Sequence, residues 1–241
     1  MRIAYFDCFA GISGDMTLGA LVAAGWDPAA LESLPSRLHL DGVKVSIGPA
    51  RRGPFAATRV DVQVAEDQQP HRHLHHVAAI LEAGELAPAV RARALAVFRR
   101  LAEAEAAVHG STVERVHFHE VGAADALVDI VGAVEGLAAL GVERVYSSPP
   151  RLGGGEVQSQ HGLIPVPAPA TALLLKGAPV ELGPIPLELT TPTGAALLAT
   201  FVESWERPPV FRITAIGTGA GSRDPHEIPN VLRVLIGEAQ A

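Results

Sequence analysis

The chain has 241 residues, 48% of them hydrophobic, enough to bury one substantial core. Its formal net charge of -7 argues against a nucleic-acid partner, because such proteins gather Lys and Arg to displace counterions from phosphates. One cysteine, Cys8, excludes a disulfide framework, and with no signal sequence or bilayer-length apolar run a cytoplasmic protein without membrane contact is expected.

Residues 2–6 read as a buried strand ending at Asp7. The loop from Cys8 to Asp15 then leads to a helix from about Met16 to Ala24, closed by Gly25. Asp15 stands where an N-cap would, so capping competes with chemistry there. Gly11 and Gly14 match neither the dinucleotide fingerprint nor the P-loop. Val43, Val45 and Ile47, then Val60, Val62 and Val64, recur two apart, which predicts a hairpin near a sheet edge, joined through residues 48–54.

His71, His73, His75 and His76 follow a polar loop and open a helix through Leu81. At helical spacing His73 faces His76 and His71 faces His75, a chelating arrangement; a solvated helix start is the plain alternative. Residues 86–109 are Ala-rich with interspersed apolar and charged side chains, which predicts a long amphipathic helix ended by Gly110.

Seven of the ten histidines fall between His71 and His119. His117 and His119 lie two apart on an expected strand, so both point to one side, and Glu120, Asp125 and Asp129 follow. Neutral imidazole and carboxylate are the usual ligands of borderline metals and the usual acid–base groups, so this stretch reads as a metal or proton-transfer site or, more plainly, as the polar face of a half-buried strand. Asp125, Asp129, Gly132 and Gly136 share one stripe of a helix from Asp125 to Leu140, and the glycines predict close approach of another backbone. Capping competes for Asp125; Asp129, one turn inside, has no such role.

A strand from Val142 to Tyr146 completes a βαβ unit over 113–146 and implies a parallel pair. Residues 149–170 read as a long Pro- and Gly-rich functional loop before a helix ending at Lys176. Thr190 to Gly194 opens a helix from about Ala195 to Trp205, where Thr191, Thr193 and Gly194 suit a phosphate, with Thr as a plain cap the competing reading. A strand over 211–217 runs into Gly219, Gly221 and Arg223, which would let an anion approach the backbone and meet a guanidinium. A last strand spans Val231 to Ile236. The expected class is α/β, a mixed sheet with at least one βαβ unit, helices packed on it and one long Ala-rich helix.

Seven blocks stand in order: residues 5–16 (Tyr5 to Met16), 71–74 (His71-Arg72-His73-Leu74), 117–122 (His117 to Gly122), 152–155 (Leu152-Gly153-Gly154-Gly155), 165–169 (Pro165 to Pro169), 190–194 (Thr190 to Gly194) and 219–224 (Gly219 to Asp224). Together they resemble the LarC family of nickel insertion proteins across nearly the whole chain. The resemblance implies that residues 1–241 form the N-terminal nickel-insertion domain, without the C-terminal domain of full family members, to which CTP and Mn(II) or Mg(II) belong. The implied reaction inserts Ni(II) into pyridinium-3,5-bisthiocarboxylic acid mononucleotide, making a nickel–carbon bond and nickel–sulfur bonds. It matures the nickel pincer cofactor of lactate racemase-like enzymes, as a chelatase or cyclometallase of the lyase class working with a separate C-terminal partner protein.

On that reading His71, His73, His75 and His76 capture nickel, and His117 and His119 with Asp125 and Asp129 hold it deeper. Glu120, Asp15 or Asp7 supplies the base, because a ring proton must leave. Thr191, Thr193, Gly194, Gly219, Gly221 and Arg223 are the expected anion contacts. A non-catalytic nickel carrier, and an unrelated zinc or manganese hydrolase, are the rival readings. Homo-oligomerisation stays open.

Overall fold

Strand β1 (Arg2–Asp7) sends Ala4 and Phe6 into the core and turns Tyr5 and Asp7, half-buried, to the other side, the period-two pattern of a sheet with one packed face. The structure, a computed structural model, describes residues 1–65, 72–116, 118, 124–159, 162–205 and 207–240. After β1 come helices α1 (Gly14–Ala23), α2 (Pro28–Glu32) and α3 (Leu34–Arg37), then the hairpin β2 (Val43–Arg52) and β3 (Phe55–Val64). Helices α4 (Leu74–Ala83), α5 (Pro88–Val108) and α6 (Ala124–Ala139) follow, leading to β4 (Arg144–Ser147). Short strands β5 (Arg151–Gly153), β6 (Glu156–Ser159) and β7 (Gly162–Pro165), helix α7 (Pro169–Leu174) and β8 (Glu181–Leu182) precede α8 (Pro192–Phe201) and β9 (Val202–Ser204). The chain ends with β10 (Phe211–Ala220) and β11 (Val231–Ala239).

The main sheet has seven strands in the order β2-β3-β10-β11-β1-β4-β9. The β1–β4, β3–β10 and β4–β9 pairs are parallel and the others antiparallel, so the α/β class with a mixed sheet holds. The valine alternation of β2 and β3 gives the expected edge hairpin, with Val43 paired to Val64 and Ile47 to Val60. Across the centre, Tyr5 pairs with Leu235 and Leu235 with Ile216, while Asp7 pairs with Arg233 and Arg233 with Thr218. Directly paired residues point the same way, so these side chains share the face opposite Ala4 and Phe6.

Helix α1 lies on β10, and two glycines set how closely. A β-carbon on Gly217 would stand 1.8 Å from the Ala20 carbonyl oxygen, and one on Gly219 would stand 1.9 Å from that of Met16. Only a residue without a side chain lets the helix backbone reach the strand. The long helix α5 buries Val90, Ala94, Val97, Phe98 and Leu101 at three- and four-residue spacing, as its amphipathic pattern predicts.

Several expectations need correction. The parallel pair is not built from a βαβ unit over 113–146: residues 113–115 form a turn, and β4 pairs in parallel with β1. Val116 and Phe118 are buried by packing, the Phe118 ring lying 6.3 Å from that of Phe98, with only a lone bridge between Phe118 and Arg72. Val116 and Phe118 thus make core contacts outside any named strand, and His117 and His119 of the expected strand lie outside the described residues. The loop expected over 149–170 contains the antiparallel pair β6–β7. Helix α8 starts at Pro192, a favoured first helical residue, and gives way to β9 after Phe201. Gly132 and Gly136 do make room, but for the side chains of Leu18 and Trp26 at 2.7 and 2.8 Å rather than for another backbone.

Candidate functional site

Helices α1 and α6 bring their N-terminal ends together, and three carboxylates meet there. Gly14, the first residue of α1, lies so close to Asp129 that a β-carbon would stand 2.2 Å from Asp129 Oδ2. Asp15, in the first turn of α1, is not the N-cap; Ser13 holds that position. Its Oδ1 accepts from the Met16 amide at 2.9 Å and from the Ser13 hydroxyl, and its Oδ2 pairs with Arg59 Nη1 at 3.0 Å. Arg59 also reaches Asp61 at 3.2 Å, and Gln63 donates to the other oxygen of Asp61 at 3.0 Å.

Asp125, one turn before Asp129 on α6, accepts the Ala126 amide at 2.8 Å. Burial raises its pKa, opposed by that amide, by its own backbone amide and by the Arg72 guanidinium. Asp129 is half-buried, and its Oδ1, almost without exposed surface, has no hydrogen-bond partner among the described residues. Burial first, then the charges of Asp15 and Asp125, push its pKa well above the ordinary carboxylate range. An ionised carboxylate there loses part of its solvation unless a cation pairs with it.

These acids line a cavity of about 310 Å³. Asp15, Asp61, Asp125, Asp129 and Glu188 supply its carboxylates, and Arg59 and Arg223 its guanidiniums. Thr191, Thr193, Gly221, Ser222 and Asn230 add hydroxyl and amide groups to the lining. The segments that precede α1 and α8 are tied by backbone: the Ile12 amide donates to the Leu189 carbonyl at 3.0 Å, and the Thr191 amide to the Ile12 carbonyl at 3.0 Å.

Among the expected anion contacts, Thr191, Thr193, Gly221 and Arg223 line this cavity. Thr191 is also a working N-cap, its hydroxyl accepting the Gly194 amide at 3.2 Å. Gly194 and Gly219 are not among the lining residues. Gly194 instead seats the Ile12 carbonyl, 2.3 Å from where its β-carbon would be, and Gly219 seats α1. Asp7, expected as a possible base, is also absent from the lining. It lies on the far sheet face in a two-pronged ion pair with Arg233, whose Nε approaches at 2.9 Å while Nη2 forms the second contact. Arg59, Asp61, Glu188 and Asn230 escaped the sequence reading, although Arg59 and Asp61 alternate with the valines of β3 and so had to leave the core side.

The imidazoles His73, His75 and His76 cluster at the start of α4, with ring centroids 3.9 to 5.6 Å apart. His73 and His76 do approach one another, with His73 just before the helix rather than on its face, and the expected His71–His75 pair lies outside the described residues. His73 is the extended N-cap; its amide donates to His76 Nδ1 at 3.1 Å, and its own Nδ1 lies 2.9 Å from the Val116 carbonyl oxygen. The polar start of the helix is thus spent on capping. Slight desolvation, then the neighbouring His75, His73 and Arg72, lower the pKa of His76. Arg72 links this cluster electrostatically to Asp125 of the cavity. His71, His117, His119 and Glu120 lie outside the described residues. Among the described residues, no three His, Cys, Asp or Glu side chains stand together as a cation's ligands.

Fold and cavity together define an α/β protein with an acid-rich polar site where two helices begin. The chain belongs to the nickel insertion family: the family model described as "Nickel insertion protein" matches residues 4–241. Relatives from Geotalea uraniireducens and Roseiflexus castenholzii that bear nickel insertion in their names are 49% and 51% identical to it, over 100% and 98% of this chain. A third, from Desulfitobacterium hafniense, is named pyridinium-3,5-bisthiocarboxylic acid mononucleotide nickel insertion protein and is 45% identical over 99% of the chain. The chain spans only 62%, 60% and 59% of the lengths of these three relatives. No solved structure matches it.

Proposed function

We propose that this chain takes part in inserting Ni(II) into pyridinium-3,5-bisthiocarboxylic acid mononucleotide, the compound in the name of its Desulfitobacterium relative. The observation that carries the reading is the polar cavity, whose lining holds carboxylates as well as a guanidinium and hydroxyls, groups that suit the two ends of such a molecule. Carboxylates of α1 and α6 face one end, where a cationic ring is favoured. Arg223, Ser222 and Thr193 face the other, where a phosphate would find a guanidinium and hydroxyls. Nickel is the cargo. His73, His75 and His76 are its proposed first contacts, together with His71, His117 and His119, and Asp125 connects that region to the cavity through Arg72. CTP, and manganese or magnesium, are proposed as co-reactants used with the further region that the longer relatives carry.

The test is reconstitution from purified chain, Ni(II), the mononucleotide, CTP and Mn(II), with and without that further region from a relative. Nickel-loaded mononucleotide, identified by mass, is the expected product in the complete mixture. Its absence from every combination would overturn the proposal. The surface placement of the three imidazoles favours a second reading, a non-catalytic nickel carrier, which predicts stoichiometric nickel on the protein and no loaded product.

A further inference from the structure

Bonding nickel to a ring carbon requires that carbon to lose its hydrogen, and the imidazole cluster lies outside the cavity lining. We propose that Asp129 takes this proton, with the pyridinium ring seated against the acid wall and its phosphate directed toward Arg223. The assignment rests on the nickel-insertion reading and adds to it the proton acceptor and the direction in which the substrate lies.

Geometry singles out Asp129. A base in a closed site needs an oxygen lone pair that faces the substrate and is committed to nothing else. Asp15 is held by the Ser13 hydroxyl, the Met16 amide and Arg59, and Asp61 is held by Arg59 and Gln63. Asp129 lines the cavity, is half-buried, and keeps a buried Oδ1 without a hydrogen-bond partner among the described residues. A buried carboxylate oxygen in that condition costs stability, so its retention at the wall of a polar cavity points to a ligand group that meets it. Gly14 keeps the space beside the carboxylate clear, since any side chain there would collide with it.

The charges agree with the pose. The groups facing Asp129 and the cavity are Asp15 of α1, Asp125 of α6, Arg59 and Asp61 of β3, Glu188, and Arg223 beyond β10. Arg59 is neutralised by Asp15 and Asp61, so the wall around Asp129 is left anionic and attracts a cationic ring. Arg223 is exposed, lines the cavity, and makes no ion pair among the described residues, leaving its guanidinium for the phosphate. The cationic ring favours the ionised form of Asp129 on arrival, and burial gives that carboxylate a proton affinity above that of an ordinary aspartate. In the step itself the ring C–H bond breaks heterolytically. The proton passes to the Asp129 carboxylate, the electron pair becomes the carbon–nickel bond, and nickel remains divalent, so no oxidant or reductant is consumed.

The test compares wild-type protein, Asp129→Asn and Asp129→Glu in the reconstituted mixture. Mononucleotide affinity is read by calorimetry and insertion rate by formation of the nickel-loaded product, across pH. The expected result is that Asp129→Asn binds the mononucleotide within about threefold of wild type but inserts nickel about 10²-fold more slowly or worse. Asp129→Glu should recover part of the rate with a displaced pH profile, which a merely structural residue would not do. Insertion by Asp129→Asn at a near-wild-type rate would overturn the assignment and leave nickel insertion standing. Equal loss of affinity and rate in both variants would overturn it too, by showing a structural role. A wild-type protein that forms no nickel-loaded product in the complete mixture would overturn the nickel-insertion reading, and the role of Asp129 with it.

Discussion

Asp129 stands in electrostatic conflict with its neighbours, and the consequence for stability has a definite sign. Its folded-state pKa is raised by burial and by two neighbouring acids. The folded protein therefore binds a proton that the unfolded chain releases near the ordinary aspartate value of about 4. The associated stability is fully present below that pH and is lost as pH rises through the raised folded value. Asp129→Asn cannot ionise, so its melting temperature relative to wild type should climb as pH is raised from about 4 toward neutrality. Thermal melts of both proteins at several pH values measure this, and a constant difference would refute it. Cys8 gives a second expectation. It is fully buried against Ser147, and burial pushes its thiol pKa up to about 12, so little of it is thiolate at neutral pH. A thiol reagent should leave Cys8 untouched in folded protein and label it stoichiometrically in denaturant.

Helix α1 owes its place to β10, and the energetic evidence for that lies in the glycines of the strand. Gly219→Ala would set a methyl group against the Met16 carbonyl, and neither backbone can yield without moving the helix. The expected loss is at or above about 3 kcal/mol, the upper end of the cost of overpacking a core. Urea denaturation measures it, and a loss below 1 kcal/mol would show that α1 can shift freely. Because α1 carries Asp15 and Gly14, the same displacement should disturb the cavity. The sequence showed these glycines as an alternating run and suggested an anion cradle. Only the packed structure reveals that the object approaching the backbone is the protein's own helix, since sequence records where room is made and not what fills it.

Arg72 stands electrostatically between the imidazole cluster and Asp125 of the cavity, and nickel binding reports on that arrangement. Replacing His73 and His76 together by Ala should reduce bound nickel measurably in equilibrium dialysis, whereas the same change at Arg93, on the polar side of α5, should not. Unchanged stoichiometry would remove these imidazoles from the nickel path. The depressed pKa of His76 keeps that ring neutral, and so able to ligate, to a lower pH than an ordinary histidine. None of the helices formed by the described residues is long and apolar enough to cross a membrane.

What the sequence determined by itself was local: the valine alternation of β2 and β3, the amphipathic α5, and the stripe that sets Asp125 and Asp129 on one side of α6. Each follows from the fixed periods of strand and helix, which neighbours in the chain impose on one another. The family resemblance was equally legible, because it rests on ordered blocks of residues. The tertiary structure decided which distant groups meet. Asp7 closes β1 near the loop that leads to Asp15, yet strand alternation turns it to the opposite sheet face and Arg233 holds it there. Arg59 and Asp129 lie 70 positions apart in the numbering but line one cavity, because α1 and α6 pack together beside β3. Surroundings then set the chemistry: the same carboxyl group is an ion-pair partner at Asp7 and a candidate base at Asp129, where burial, two neighbouring acids and an unpartnered oxygen make the difference.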